Sequence, residues 1–228
     1  MPTLFQFAKH ELNLAWRRWQ IHRSAIPTGL ADSAWLLHGL VRSLKPRNCV
    51  EIGSACGHST CLIGLALKQN LRGRLWAVDP HEPTLWNDGR PQNTFNTYDT
   101  LRRNLRRAGV ADYVEIVRQR TAAAAATLPA EFDFAFIDGD HSYEGVKQDW
   151  EILLPRMTEF SVVIFHDTMW DCHVDDPLYR QWRREGMGVP RFMEELRTAG
   201  YPVITVDQNW GLTLVQPTKH GNSFLLPA

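Results

Sequence analysis

A chain of 228 residues with 44% hydrophobic content suits one globular domain with added segments, and excludes a disordered protein. Its 25 basic and 25 acidic residues give a formal net charge of zero with no long basic run, so no nucleic-acid partner is expected. No apolar run reaches membrane-spanning length and the N-terminus lacks a signal-peptide core, so no membrane partner is expected either. The four cysteines, Cys49, Cys56, Cys61 and Cys172, show neither metal-ligand nor disulfide spacing, which points to a reducing cytoplasm.

In chain order, Leu4 to Arg23 has helical spacing through Leu4, Phe7, Leu12, Trp16 and Trp19. This helix either packs on the main domain or serves as a lid or homo-oligomer contact. A second helix spans Leu30 to Leu44 and Pro46 ends it. The core then alternates strand and helix. Strands are expected at Cys49–Ile52, Leu75–Val78, Tyr113–Val117, Phe132–Ile137 and Ser161–Phe165. Helices are expected from Ser59 to Asn70, Thr94 to Ala108, Thr121 to Leu128, after Ser142 to Leu154, and Val189 to Ala199. Pro202–Val206 and Gly211–Val215 read as a terminal hairpin. The alternation implies a doubly wound, mostly parallel α/β sheet with an antiparallel strand at one edge. The domain limits are a helical arm over 1–46, the sheet domain over 47–217 and a tail over 218–228.

The stretch Glu51-Ile52-Gly53-Ser54-Ala55-Cys56-Gly57-His58-Ser59 reads as strand, glycine turn and helix start, with room for backbone to approach a ligand at Gly53 and Gly57. Its Glu-x-Gly-x-x-x-Gly-x-Ser pattern resembles the first motif of class I S-adenosylmethionine-dependent methyltransferases of the metal-dependent catechol O-methyltransferase type. Later motifs resemble a related bacterial group that methylates sugars and natural products. The resemblance spans about Val50 to Val215 and implies a Rossmann-like seven-stranded sheet. It also implies S-adenosylmethionine as cofactor, with Glu51, Gly53, Ser54, Gly57, Ser59, Asp79, Arg120, Thr121 and Asp138 around it. Asp79 closes the second strand, where a carboxylate can accept two hydrogen bonds from a ribose diol; the other reading is a solvated turn residue. Thr121 is also a good helix N-cap.

Two later stretches carry the chemistry. Phe136-Ile137-Asp138-Gly139-Asp140-His141-Ser142 and Ile164-Phe165-His166-Asp167-Thr168 each follow a buried strand. If those strands are neighbours, Asp138 and Asp167 share one crevice, and a divalent cation would keep both ionised. The resemblance makes Asp138 and Asp167 metal ligands, with His166 where some relatives have a carboxylate. Mg²⁺ is the expected metal; an imidazole ligand favours Mn²⁺ or another transition metal. Thr168 stands where catechol enzymes have a ligating amide. His141 stands where they have a catalytic lysine. An aliphatic hydroxyl starts near water's pKa of ~15.7, so ionising it at pH 7 costs roughly 12 kcal/mol. A base is then needed, and His141 suits that role.

The expected activity is metal-assisted methyl transfer from S-adenosylmethionine to a hydroxyl of a sugar or hydroxylated natural product, a small-molecule partner. The polar insertions 81–92 and 170–188 would shape acceptor choice or be plain surface loops. His173, Asp175 and Asp176 also admit a second-metal reading. Competing readings are a catechol-type methyltransferase, an NAD-dependent oxidoreductase, a metal-dependent hydrolase and a non-catalytic partner on the same fold. The dinucleotide Gly-x-Gly-x-x-Gly pattern is broken by Ala55.

Overall fold

The structure is a computed structural model and describes residues 30, 33–82, 96–170 and 187–218. The helix expected over Leu4–Arg23, most of both insertions, including His173, Asp175 and Asp176, and residues 219–228 lie outside the described residues. No helix among the described residues is long and apolar enough to cross a membrane.

Helix α1 covers Ala34–Leu44, β1 Asn48–Ile52, α2 His58–Asn70, β2 Arg74–Val78, α3 Thr97–Ala108 and β3 Val114–Val117. There follow α4 Thr121–Ala124, β4 Phe132–Ile137, α5 Tyr143–Leu153, β5 Met157–His166, α6 Val189–Thr198, β6 Val203–Val206 and β7 Leu212–Val215. The seven strands form one sheet in the order β3-β2-β1-β4-β5-β7-β6. Strands β1 to β5 pair in parallel, and β7 runs antiparallel to both β5 and β6. The doubly wound sheet with its antiparallel hairpin is therefore as expected.

Alternation along β4 builds a core on each face. Phe134 and Phe136 join Leu37, Val41, Leu62 and Leu101 from α1, α2 and α3. Ala135 and Ile137 join Val146, Trp150 and Phe192 from α5 and α6. A strand covered on both sides needs an unbroken apolar run, which β4 supplies. The chain winds outward from β1 to β3 and then returns to β4 on the other side of β1. This reversal opens a crevice at the carboxyl ends of β1 and β4, where doubly wound sheets bind ligands.

Two elements differ from the expectation. The alanine-rich helix stops at Ala124, and Arg156 then takes the carbonyls of Ala125, Leu128 and Pro129 at 2.6, 3.2 and 2.8 Å. A guanidinium fork replaces the helical ladder there. Strand β5 begins four residues early, at Met157, across a register shift opposite Phe132 and Phe134. Ser161 holds that irregularity: its hydroxyl donates to the Phe132 carbonyl at 2.7 Å and accepts from the Thr158 N–H at 2.7 Å.

The glycine turn after β1 is clamped from both sides. Gly53 N–H donates to the Val78 carbonyl and Asp138 N–H donates to the Ile52 carbonyl, each at 2.9 Å. Gly53 has φ 89°, and a Cβ there would lie 2.0 Å from the Asp138 carbonyl oxygen. A Cβ on Gly57, at φ 88°, would lie 2.4 Å from Leu101 Cδ1. Both glycines are thus required by the protein's own packing, Gly53 against the backbone at the end of β4 and Gly57 against the Leu101 side chain of α3. Gly53→Ala is expected to destabilise the fold by about 3 kcal/mol or more, measured as a fall in the urea midpoint. Gly39→Ala, with nothing within 4 Å of the new Cβ, is expected to be neutral or better.

Candidate active site

Parallel pairing sets the geometry of the site. Ile137 lies opposite Phe165 in the β4–β5 register, so Asp138 and His166 leave the sheet side by side and Asp167 follows. Asp167 takes φ 59°, a left-handed conformation that aspartate tolerates better than most residues. His141 reaches back from the turn before α5, whose N-cap is Ser142 as expected: its hydroxyl accepts from Gly145 N–H at 3.0 Å.

Four side chains meet at this point. His141 Nε2 lies 3.2 Å from Asp138 Oδ1 and 3.2 Å from Asp167 Oδ2. His166 Nδ1 lies 3.1 Å from Asp138 Oδ1 and 3.4 Å from Asp167 Oδ1. Both histidines therefore face the same pair of acids. Asp138, His141 and Asp167 each offer a ligand atom within 4.8 Å of the others, the one such group among the described residues. The sequence assigns His166 to the metal and His141 to the base; the geometry brings both beside the acids.

The electrostatics follow from that crowding. Burial opposes charge on Asp138, but the two histidines outweigh it and hold the carboxyl below its usual range. Burial likewise opposes charge on His141 and His166, yet Asp167 and Asp138 raise both above ordinary imidazole. The second nitrogen of His166, Nε2, lies 2.9 Å from the Asn209 carbonyl. A carbonyl only accepts, so Nε2 carries the hydrogen and Nδ1 is left to face the acids. Two carboxylates with an imidazole nitrogen turned toward them form a donor set that fits a divalent cation. Thr168 adds little: its hydroxyl accepts from Thr213 at 2.8 Å inside a buried contact.

On the other side of the crevice, Asp79 Oδ2 accepts from Ala55 N–H at 2.7 Å and Oδ1 from His81 N–H at 2.6 Å, tying the end of β2 to the glycine turn. The buried Ser54 hydroxyl has no partner among the described residues, which leaves a polar group in the turn for a ligand. Glu51 is fully buried, and its two oxygens accept from the Ser59 and Thr60 hydroxyls of α2. Burial pushes its carboxyl up to about 7, against the two hydroxyls and with help from Asp138 and Asp79. Arg120 is exposed and pairs with Glu82 at 3.1 Å. Thr121 is the first residue of α4 and not its N-cap, since Arg120 holds that position; its side chain bonds Asp149 instead.

Some functional neighbours carry no signal in the sequence. Asp149 lies mid-helix in α5, yet burial lifts its carboxyl to about 7. Asn104 of α3 donates to the Cys56 carbonyl in the glycine turn at 2.8 Å. The Asn209 carbonyl is backbone from a distant hairpin.

This sheet order, with carboxylates closing adjacent strands at the reversal, is the architecture of class I S-adenosylmethionine-dependent methyltransferases. A protein-family model described as a methyltransferase domain matches residues 50–168, over half of the chain, and the chain belongs to that family. An uncharacterized protein of Sinorhizobium fredii is 28% identical over 171 residues, covering 72% of this chain and 17% of the relative. Tricin synthase 1 of Oryza sativa subsp. japonica is 28% identical over 158 residues, covering 65% of this chain and 56% of the relative. The chain thus spans less than two thirds of the length of these curated relatives. The fold is shared with the O-methyltransferase TomG of Streptomyces achromogenes, solved in complex with S-adenosylmethionine. That match has a TM-score of 0.62 at 24% identity and covers 90% of this chain and 88% of TomG.

The elevated Glu51 carboxyl has a consequence for stability. A raised carboxyl contributes stability that is complete below 4.5 and lost as pH rises through about 7. Between those limits the ligand-free protein is expected to lose roughly 3 kcal/mol relative to Glu51→Gln, read from urea unfolding of both proteins across pH 4.5–8.

Proposed function

We propose that this chain is a divalent-metal-assisted O-methyltransferase that uses S-adenosylmethionine to methylate a hydroxyl of a sugar or hydroxylated natural product. The observation that carries the reading is the convergence of Asp138 and Asp167 on one crevice, with His141 Nε2 3.2 Å from each. TomG, whose structure holds S-adenosylmethionine and which takes part in tomaymycin synthesis, and tricin synthase 1 support the chemistry by likeness.

The donor supplies an electrophilic methyl group that passes from sulfur to the acceptor oxygen, and a bound cation supplies charge that orients that oxygen and lowers its pKa. The residues of this chain do the rest. Asp138, Asp167 and His166 would hold the cation, Mg²⁺ or, given the imidazole, Mn²⁺. Asp79, Ser54 and the glycine turn would hold the donor's ribose and methionine ends. His141 Nε2, 3.2 Å from each acid, takes the hydroxyl proton once a cation in place of the imidazole's own proton answers the charge of the acids.

The cluster of Asp138, His141 and Asp167 favours a second reading, in which His141 is itself a ligand. One set of measurements separates the two. A panel of sugars, glycosides and catechols incubated with S-adenosylmethionine is expected to show a gain of one methyl by mass spectrometry, abolished by chelator and by Asp167→Asn. His141→Ala is expected to lower single-turnover transfer to an aliphatic hydroxyl by about 10²–10⁴-fold with Mn²⁺ affinity retained. Loss of Mn²⁺ affinity in His141→Ala would make it a ligand. Unchanged transfer with chelator present would overturn the metal.

A further inference from the structure

The hairpin between β6 and β7 is built around an unfavourable residue. Asn209, Trp210 and Gly211 take φ 49°, 71° and 92° in succession. Gly211 N–H donates to the Gln208 carbonyl at 3.0 Å, so Asn209 and Trp210 are the central pair of a type I′ turn. That turn favours asparagine first and glycine second. Asn209 fits the rule and Trp210 breaks it, because a Cβ in left-handed backbone crowds the following carbonyl. Contacts outside the turn must hold Trp210 there.

Those contacts all lead toward the acids. The Trp210 ring stacks on Trp170, with centroids 4.1 Å apart and planes 13° off parallel. Trp170 is buried three residues beyond Asp167. The Trp210 carbonyl accepts from Met169 N–H at 2.8 Å. The preceding carbonyl, Asn209, takes the Nε2 hydrogen of His166 at 2.9 Å.

We infer that Trp210 and Trp170 form a clamp that positions His166: the stacked rings fix the hairpin tip, the tip's Asn209 carbonyl holds Nε2–H, and Nδ1 is thereby presented to Asp138 and Asp167. Trp210 is a positioning residue that acts through the Asn209 carbonyl and His166. A glycine would suit the turn better, so the stack on Trp170 must offset the strain at Trp210. The inference rests on the metal reading proposed above, and extends it to a residue more than 40 positions from the ligand it orients.

The test uses the full chain and Mn²⁺ as probe, with binding read by calorimetry. Trp210→Gly gives the turn its preferred residue while removing the stack. It is expected to weaken Mn²⁺ binding by about tenfold or more, with S-adenosylhomocysteine affinity unchanged. Trp210→Phe keeps a ring over Trp170 and is expected to restore most of the Mn²⁺ affinity. In ¹⁵N-labelled, metal-free protein the His166 Nε2 proton is expected to exchange slowly in the wild type and fast in Trp210→Gly. Wild-type Mn²⁺ affinity and a slow-exchanging proton in Trp210→Gly would overturn the clamp. A parallel loss of S-adenosylhomocysteine binding would reduce it to general support of the fold. If the wild type itself binds no Mn²⁺, the metal reading falls, and proton exchange alone decides whether the clamp exists.

Discussion

Two carboxylates closing neighbouring parallel strands cannot both stay charged in a buried crevice unless positive charge sits between them. The register of β4 on β5 forces Asp138 and Asp167 into that position, and the rest of the site is arranged around the debt of charge. In the ligand-free protein His141 and His166 answer it, each facing both acids at 3.1 to 3.4 Å. The divalent cation proposed for this site would use the same atoms, since a metal exchanges for protons on its ligands.

The neighbouring half of the crevice depends on close backbone contact. Gly53 has no Cβ, so the Asp138 carbonyl can sit against it, and this contact fixes the metal-side acid relative to the glycine turn. Asp79 ties the turn to β2 through Ala55, and Asn104 ties it to α3 through Cys56. The glycine turn and the acid side are thus tied together. The methyl transfer proposed above would draw on that, because the acceptor oxygen must lie in line with the leaving sulfur.

The strand ends were the legible part. Apolar runs that finish in Asp138, or in His166 and Asp167, mark both the strands and the place where they emerge. The alternation marks a mostly parallel sheet with a terminal hairpin, but the strand order followed only from the family resemblance. Local chemistry also marked Ser142 as an N-cap. What the sequence concealed depends on contacts between distant segments. Glycine at 53 reads as clearance for a ligand, and the structure adds a second demand, since the Asp138 carbonyl packs where a Cβ would be. The alanine run after Thr121 reads as helix until Arg156, 27 to 31 residues from the carbonyls it takes, is brought beside it. The partner of His166 is a backbone oxygen, and no side-chain pattern announces one. Trp210 carries no signal in the sequence; its left-handed backbone and its stack on Trp170 give it meaning.

The central claim is that Asp138 and Asp167 share one cation beside the donor site. Anomalous scattering from crystals grown with Mn²⁺ and S-adenosylhomocysteine tests it most directly. The account predicts a single strong peak within coordination distance of both carboxylates and of His166 Nδ1, next to the bound nucleoside. A peak that touches only one of the two acids, or none at the carboxyl ends of β4 and β5, would contradict it.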